Sequence, residues 1–239
     1  MTDTSVSKAP DRIAEMFDRI AGRYDFLNRV LSAGIDRRWR TQAIQSLHLT
    51  GRERVLDVCT GTCDLAIAAT QAQPAAARVV GLDFAAAMLG VGRKKLRRER
   101  LEHRIVLVRG DASRMPFADA SVDAITIGFG IRNVHDIPAA CRDLLRVLRS
   151  GGRLAILEFA VPTMPVVSVV YLWYLRHVLP RIGQALSRDD TAYRYLPASI
   201  DAFESPDEFV KILRQAGFVD ISTVRLTLGS VCLYTARRG

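Results

Sequence analysis

The sequence lacks several features that would assign it to particular protein classes. Cysteine is scarce, with four residues among 239, and none of them forms a paired C-x-x-C unit, which argues against a structural zinc site. The N-terminus is polar and has no early apolar run of the kind that marks a secretory signal. We therefore expect free thiols, no bound metal and a cytoplasmic protein.

Acidic residues are fewer than basic ones: the chain has 25 Asp and Glu and 34 Lys and Arg, which gives a net charge of +9. Such a basic surface favours an anionic partner, either nucleic acid, an acidic ligand or a membrane surface. The most basic run, RKKLRRERLEHR over residues 93–104, contains no aromatic residue on which bases could stack, so we expect no nucleic-acid binding. The run is typical of a solvated helix face that can also touch anionic lipid headgroups.

The pattern of apolar residues predicts one domain over residues 1–239. Residues 11–47 have helical spacing, interrupted at Gly22 and Gly34, which predicts a cap of short helices. From Arg54 onward, apolar runs alternate with helical segments, which predicts a parallel sheet covered by helices on both faces. The predicted strands are Val55–Cys59, Arg78–Asp83, Ile105–Gly110, Ala124–Gly128, Leu154–Glu158, Ile221–Leu226 and Ser230–Ala236.

The helices between the strands have clear signals. Residues 65–73, 85–100 and 137–148 read as helices, and Ser205-Pro206-Asp207-Glu208 is a capping box that starts another, for which Gly217 is a natural stop. The last two strands would form a hairpin joined near Gly229, which introduces one antiparallel strand into the sheet.

Polar residues follow successive strands and predict a nucleoside site, because ligands of open α/β sheets bind beyond the carboxyl ends of the strands. The loop after the first strand, in VLDVCTGTCDLA, has Gly61 for close backbone approach and Thr62 for a hydroxyl, but it lacks G-x-G-x-x-G and the lysine of a P-loop. Asp83, 26 residues after Asp57, could accept hydrogen bonds from ribose, and Asp111 from an adenine amino group. The alternative for each acid is a helix cap.

Several segments resemble one enzyme family. The most specific are FGIRN (129–133) and YRYLPASI (193–200), and they are supported by MFDRIAGRYDFLNRVLSAGIDRRWR, VLDVCTGTCDLA, RVLRSGGRLAILEF and HVLPRIG. With these pieces the chain resembles the class I S-adenosylmethionine-dependent methyltransferases, and among them the quinone-biosynthesis C-methyltransferases, from about Met16 to Tyr234. The resemblance implies a Rossmann-like, mostly parallel seven-stranded sheet with a C-terminal antiparallel hairpin strand.

The same resemblance implies S-adenosyl-L-methionine as cofactor and a prenylated hydroquinone as substrate. The ring carbon of demethylmenaquinol, or of the ubiquinone precursor, would receive the methyl group; the alternatives are another small molecule or RNA. A homodimer and a peripheral contact with the inner face of the cytoplasmic membrane are further expectations. The residues expected to contact the cofactor are Gly61, Thr62, Asp83, Asp111, Ala112 and Gly128.

Candidates for catalysis follow the fourth strand or lie in the late insertion. Arg132 could stabilise a phenolate or orient a water, Asn133 could fix the ring hydroxyl, and Tyr195 could close the pocket. The alternative for Arg132 is a simple ion pair with an acid. Further candidates are Tyr24, Asp25 and Tyr193 for closing the pocket and His177 and Asp190 as bases.

An apolar and aromatic segment, residues 166–186, lies within an expected substrate-covering insertion over residues 160–203. Arg176, His177, Pro180 and Arg181 make it a poor transmembrane helix. The first expectation is a buried pair of core helices, and the functional alternative is an apolar cover for an isoprenoid tail that docks on the membrane.

Four residues depart from the family pattern, of which Ser150 replaces a common proline and Ala160 a common serine. Cys63 stands where a second glycine is usual, and it would be strained if the backbone there needs a positive φ. Asp36 stands where a histidine is usual.

Overall fold

The computed structural model describes residues 10–178, 181 and 191–239. Three helices precede the sheet: α1 (Pro10–Ile20), α2 (Tyr24–Leu31) and α3 (Asp36–Ser46). They are separated by turns at residues 21–23 and 32–35, so the two predicted interruptions at Gly22 and Gly34 are confirmed. Gly34 has a φ of +77°, a conformation that glycine adopts without steric cost.

The seven strands form one sheet. They are β1 (Arg54–Val58), β2 (Arg78–Asp83), β3 (Ile105–Arg109), β4 (Val122–Gly128), β5 (Leu148–Phe159), β6 (Phe218–Leu226) and β7 (Val231–Arg238). Their order is β3-β2-β1-β4-β5-β7-β6, and β7 runs antiparallel to both of its neighbours. The expected mostly parallel sheet with one antiparallel C-terminal strand is therefore confirmed.

The sheet reverses its strand order at β1, which lies between β2 and β4. The crevice beyond the carboxyl ends of these strands is the place where open α/β sheets bind ligands. The largest departures from the predicted strand boundaries are the starts of β5 at Leu148, six residues early, and of β6 at Phe218, three residues early, while the other boundaries differ by at most two residues. Leu148 pairs with Val122 and Arg153 pairs with Ala124. The pairing of β4 with β5 therefore shifts register across the stretch between Leu148 and Arg153, which contains two glycines.

Helices cover both faces of the sheet, as expected. The helices that follow β1, β2 and β4 are α4 (Asp64–Gln71), α5 (Ala86–Glu99) and α6 (Ile137–Val147), and α9 (Pro206–Ala216) precedes β6. One core packs α6 and α9 against the sheet through Leu144, Phe209 and Leu213, and the other packs α3, α4 and α5 through residues that include Trp39 and Leu65. The predicted capping box at Ser205 and Glu208 is present.

The insertion after β5 contains α7 (Pro165–Trp173), a π-helical turn (Tyr174–Val178) and α8 (Thr191–Asp201). The first expectation of buried core helices is wrong for α7, because none of its residues is buried and Val166 is 77% exposed. Residues 179, 180 and 182–190, which include the end of the segment and Asp190, lie outside the described residues. Among the residues that are described, no helix is both long enough and apolar enough to cross a membrane.

Candidate active site

The loop that joins β1 to α4 is tightly wound, because Cys59, Gly61 and Cys63 all have a positive φ. Cys63 has a φ of 71° and is fully buried, so it occupies the strained conformation that a glycine would adopt freely. The strain of such a residue is about 1–3 kcal/mol. The Cys63 thiol packs against α5, where a Cβ built on Gly92 would lie 2.4 Å from Sγ.

Asp57 anchors this loop and was not predicted as a site residue. Its two carboxylate oxygens accept hydrogen bonds from the hydroxyls of Thr60 (2.5 Å) and Thr126 (2.7 Å), which tie the loop to β4. Burial raises the pKa of Asp57 to about 6. The sequence signal that could have identified Asp57 is an acid inside an apolar strand, followed three residues later by a threonine that can donate to it.

Asp83 ends β2 at the centre of the crevice. Its carboxylate accepts the amide protons of Gly61 at 2.8 Å and of Ala85 at 2.9 Å, so the side chain is held in one orientation. Burial raises the pKa of Asp83. Each carboxylate oxygen keeps a second acceptor site, which leaves the group able to bind two further donors such as ribose hydroxyls.

A cavity of about 440 Å³ adjoins Asp83, at the ends of β2, β3 and β4. Its lining brings Asp83 together with Asp111, Ala112 and Asn133. The volume lies within the range of small-molecule sites, about 300–1,000 Å³. Because carboxylates accept hydrogen bonds from hydroxyl and amino groups, these acceptors fit the adenosine part of S-adenosylmethionine. We call this space the nucleoside cavity.

Three other expected cofactor residues lie outside that lining. Gly61 reaches it only through its amide, which binds Asp83. Gly128 ends β4, where an added Cβ would lie 3.3 Å from Leu65. The Thr62 hydroxyl donates to Asp25 and accepts from Lys95 Nζ at 3.2 Å.

Thr62 belongs to a charged cluster that joins the N-terminal helices to the loop. Lys95 Nζ lies 2.5 Å from carboxylate oxygens of both Asp25 and Asp64, and Arg40 lies 3.3 Å from Asp64. Lys95 is only 9% exposed, so its charge is balanced by the two acids. The cluster fixes α2 and α3 against the start of α4. It also explains why Asp25, expected to close the pocket, instead faces Lys95.

A second cavity, of about 320 Å³, lies between the N-terminal helices and the insertion. Its lining is mostly apolar and aromatic and includes Met16, Phe17, Ile20, Trp39, Phe129 and Phe159. Trp39, Phe129 and Phe159 pack in sequence, with ring centroids 5.8 Å and 4.5 Å apart. We call this space the aromatic cavity; such a lining suits a flat, apolar ring.

Arg132 lines the aromatic cavity and is paired with an acid, which is the alternative considered from the sequence. Its Nη1 lies 2.7 Å from Glu158 Oε1 and also donates to the carbonyl oxygen of Phe129, while its Nε donates to Ser199 Oγ at 3.2 Å. The Arg132 side chain is 6% exposed and that of Glu158 is fully buried. Glu158, an acid in the apolar run LAILEF, was missed.

Asn133 and Tyr195 connect the two cavities. The Tyr195 hydroxyl donates to Asn133 Oδ1 at 2.9 Å, and Asn133 lines the nucleoside cavity while Tyr195 lines the aromatic one. Tyr24 also lines the aromatic cavity, whereas His177 is exposed beside Trp173 and lines neither. The side chain of Tyr193 lies outside the described residues.

The chain is similar to known proteins over nearly its whole length. The model of the ubiE/COQ5 methyltransferase family matches residues 4–238. A relative from Geobacter sp. (strain M21), named ubiquinone/menaquinone biosynthesis C-methyltransferase UbiE, is 45% identical over 98% of this chain and 99% of its own. The demethylmenaquinone methyltransferase of Bacteroides fragilis is 40% identical over 97% of this chain and 94% of its own.

Solved structures share the fold at lower identity. A SAM-dependent methyltransferase from Aquifex aeolicus superposes with a TM-score of 0.59 at 16% identity and covers 82% of this chain and 88% of that one. At this identity the likeness shows the class I methyltransferase fold alone. The family match and the curated relatives confirm the resemblance that was inferred from FGIRN and YRYLPASI, and the chain belongs to the ubiE/COQ5 methyltransferase family.

Proposed function

We propose that the chain is an S-adenosylmethionine-dependent C-methyltransferase that methylates a ring carbon of a prenylated hydroquinone, either demethylmenaquinol or the ubiquinone precursor. The observation that carries the proposal is the pair of adjoining cavities, one lined by Asp83 and Asp111 and the other by aromatic rings, joined by the Asn133–Tyr195 hydrogen bond. The names of the Geobacter and Bacteroides relatives support the same reaction.

The nucleoside cavity would hold the methyl donor. Bound S-adenosylmethionine supplies a methyl group on a positively charged sulfur. Asp83 would accept the ribose hydroxyls, the Asp111 carboxylate would accept the adenine amino group, and the Ala112 amide would donate to the ring. Because the Gly61 and Ala85 amides already hold the Asp83 carboxylate, the ribose acceptor is oriented before the cofactor arrives.

The aromatic cavity would hold the acceptor ring and exclude water from it. Phe129 lines this cavity and directly follows the end of β4, so the acceptor ring would lie at the ligand-binding edge of the sheet. Placing two reactants in a near-attack geometry can contribute about 7–11 kcal/mol to a reaction of this kind. The apolar walls also strengthen every electrostatic interaction within the cavity.

Arg132, Asn133 and Tyr195 would act on the ring oxygen. Loss of the hydroxyl proton to solvent pushes electron density onto the neighbouring carbon, which is why the reduced ring is the nucleophile; that carbon releases its own proton to solvent after it accepts the methyl group. The Arg132 guanidinium, fixed by Glu158, would stabilise the developing phenolate without having to reorganise. Asn133 and Tyr195 would fix the hydroxyl that carries the proton.

The proposed reaction is tested directly with purified protein. Chemically reduced demethylmenaquinol with a short prenyl tail is incubated with S-adenosylmethionine, and products are identified by mass spectrometry. We expect the ring-methylated quinol, and no product from the oxidised quinone, from a sterol or from RNA. Methylation of RNA or of another small molecule, with none of the quinol, would contradict the proposal.

We also propose that the exposed face of α7 docks on an anionic membrane surface. Val166, Val169, Val170 and Trp173 are 56–77% exposed on this helix, while Tyr171 lines the aromatic cavity from the same helix. Because a prenyl tail resides in a bilayer, a helix that faces lipid on one side and the acceptor cavity on the other would shorten the path of the substrate. The net charge of +9 favours an anionic surface.

A further inference from the structure

The aromatic cavity contains a buried carboxylate for which the mechanism above has no use. Among the described residues that line the cavity, Asp36 at the start of α3 is the only acid. It is 6% exposed, in a lining otherwise dominated by aromatic and aliphatic side chains. A carboxylate in such a place requires partners, because an isolated buried charge is strongly unfavourable.

The partners of Asp36 hold it in one orientation without using all of its acceptor sites. Ser32 Oγ donates to Oδ1 at 2.8 Å, and the Arg40 guanidinium donates to Oδ2. Each carboxylate oxygen has two lone pairs, so each can accept one more hydrogen bond. Arg40 also lies 3.3 Å from Asp64, which means that one cation is shared between two acids.

We propose that Asp36 selects the reduced form of the acceptor by accepting a hydrogen bond from a ring hydroxyl within the aromatic cavity. The inference rests on the proposed function and names the chemical form of the substrate that this residue recognises. A hydroquinone presents O–H donors to the carboxylate. The oxidised quinone presents only carbonyl oxygens, which repel a carboxylate and leave it unpaired.

Among the polar side chains of the described lining, Asp36 is the one that can accept hydrogen bonds without also donating them. The hydroxyls of Tyr24, Tyr195 and Ser230 can donate or accept, so they serve either form of the ring. The guanidinium groups of Arg132 and Arg40 only donate, and the ring oxygens of both redox forms can accept from them. Asp36 can only accept while it is ionised, and sites built to bind a substrate hydroxyl discriminate strongly against analogues that lack it.

The selection has a chemical purpose. Only the reduced ring has the electron density at carbon that attacks a methyl group. The oxidised quinone is the same size and shape, so an aromatic cavity without an acceptor group would bind it equally well, and it would then block the site without reacting. A carboxylate in the lining weakens that unproductive complex.

The test compares dissociation constants for the two redox forms in the absence of turnover. Demethylmenaquinol, kept reduced with dithionite, and demethylmenaquinone are titrated into protein saturated with S-adenosylhomocysteine. We expect wild type to bind the quinol at least about tenfold more tightly than the quinone, a modest part of the discrimination that hydroxyl-binding sites achieve. Asp36→Asn should bring the two constants within about threefold of each other, because its amide can donate to a quinone carbonyl.

Two further variants separate recognition from general structural effects. Asp64→Asn removes the other acid beside Arg40 but lies outside the lining of the aromatic cavity, so it should keep the wild-type preference. Asp36→Glu retains a carboxylate and should retain a preference for the quinol even if Asp36→Asn folds poorly.

The inference is overturned by a wild-type protein that binds both forms equally or binds neither, by an Asp36→Asn variant that keeps the preference, or by an Asp64→Asn variant that loses it. Methyl transfer by wild type is assayed in parallel. If wild type methylates the quinol and Asp36→Asn keeps the wild-type preference, the role of Asp36 is rejected and the proposed function stands. Failure of wild type to methylate any hydroquinone would reject the proposed function, and the binding preference would still be measured.

Discussion

Three buried acids at the ligand-binding edge of the sheet have different partners, and the partners determine what each acid can do. Asp57 binds two threonine hydroxyls, Asp83 binds two backbone amides, and Glu158 binds a guanidinium. The amides leave Asp83 open toward a cavity, whereas Asp57 and Glu158 are closed off by protein groups. The same side-chain chemistry therefore serves ligand binding in one case and internal support in the others.

At Asp83, replacement by alanine should weaken S-adenosylmethionine binding by at least about tenfold, since the loss of charge-assisted hydrogen bonds costs about 1.5–3 kcal/mol. The measurement is calorimetric titration of the cofactor. Replacement of Asp220, which is exposed and far along the chain on β6, serves as the control and should leave the affinity unchanged. Unaltered affinity in Asp83→Ala would mean that the ribose is held elsewhere.

At Arg132, support and chemistry can be separated by two variants. Glu158→Gln leaves a buried guanidinium without its counter-charge and should destabilise the fold by about 3–5 kcal/mol in urea unfolding. The double variant Arg132→Met with Glu158→Gln removes both charges and should recover part of that loss. If Arg132 stabilises the phenolate, the double variant should fold, bind the cofactor normally and lose most of its turnover; normal turnover would assign the arginine to structural support alone.

At the scale of elements, the start of α4 packs so closely against the middle of α5 that the side chain of Cys63 leaves no room for a side chain at Gly92. Cys63 adopts a φ of 71°, and its thiol fills the space that a side chain on Gly92 would need. The sequence shows a cysteine at a position where the family usually has glycine, but it gives no sign that the thiol packs against a glycine 29 residues later.

We expect this packing to appear as coupling between two substitutions. Gly92→Ala alone should destabilise the protein by about 1–3 kcal/mol, because the new methyl group overlaps the thiol. In a Cys63→Gly background the same change should be neutral or stabilising, since alanine is favoured over glycine within a helix by about 1 kcal/mol. Urea unfolding of the four proteins measures the coupling, and additive effects would refute the contact.

The exposed face of α7 makes a prediction about lipid binding. Val166→Ser with Val169→Ser should reduce partitioning onto vesicles of phosphatidylcholine and phosphatidylglycerol by at least about tenfold, because each buried valine contributes about 1.5–3 kcal/mol. Val106→Ser with Val224→Ser is the matched control, since these two valines are similarly exposed on β3 and β6. If the α7 variant instead alters the mass measured by light scattering and leaves partitioning unchanged, the face binds a second copy rather than a membrane.

At the scale of the whole molecule, the sequence predicts what depends on neighbouring residues and misses what depends on helix placement. The strand positions, Asp83 and Asp111 follow from local patterns, because each acid lies at or just beyond the end of a strand that faces the crevice, whereas Ala112 was implied by the family resemblance. The ion pairs Arg132–Glu158 and Arg40–Asp64 could not be predicted, because they require knowing how elements far apart in the chain meet. For the same reason, the open face of α7 was expected to be core.

The buried Asp57 gives the whole fold a pH dependence whose sign can be derived. Its pKa is raised by burial from 3.8 to about 6, so between these values the folded state holds a proton that the unfolded state has released. Stability contributed by this group therefore decreases as pH rises from about 4 to about 6, by about 2–3 kcal/mol in total, and is constant above that range.

Asp57→Asn keeps the shape of the side chain and removes the ionisation. The difference in free energy of unfolding between Asp57→Asn and wild type, followed in urea from pH 4 to 8, should shift in favour of the variant as pH rises to about 6 and stay constant above that. Asp220→Asn, at an exposed position, should track wild type throughout; a margin for Asp57→Asn that stays constant with pH would show that Asp57 ionises normally in the fold.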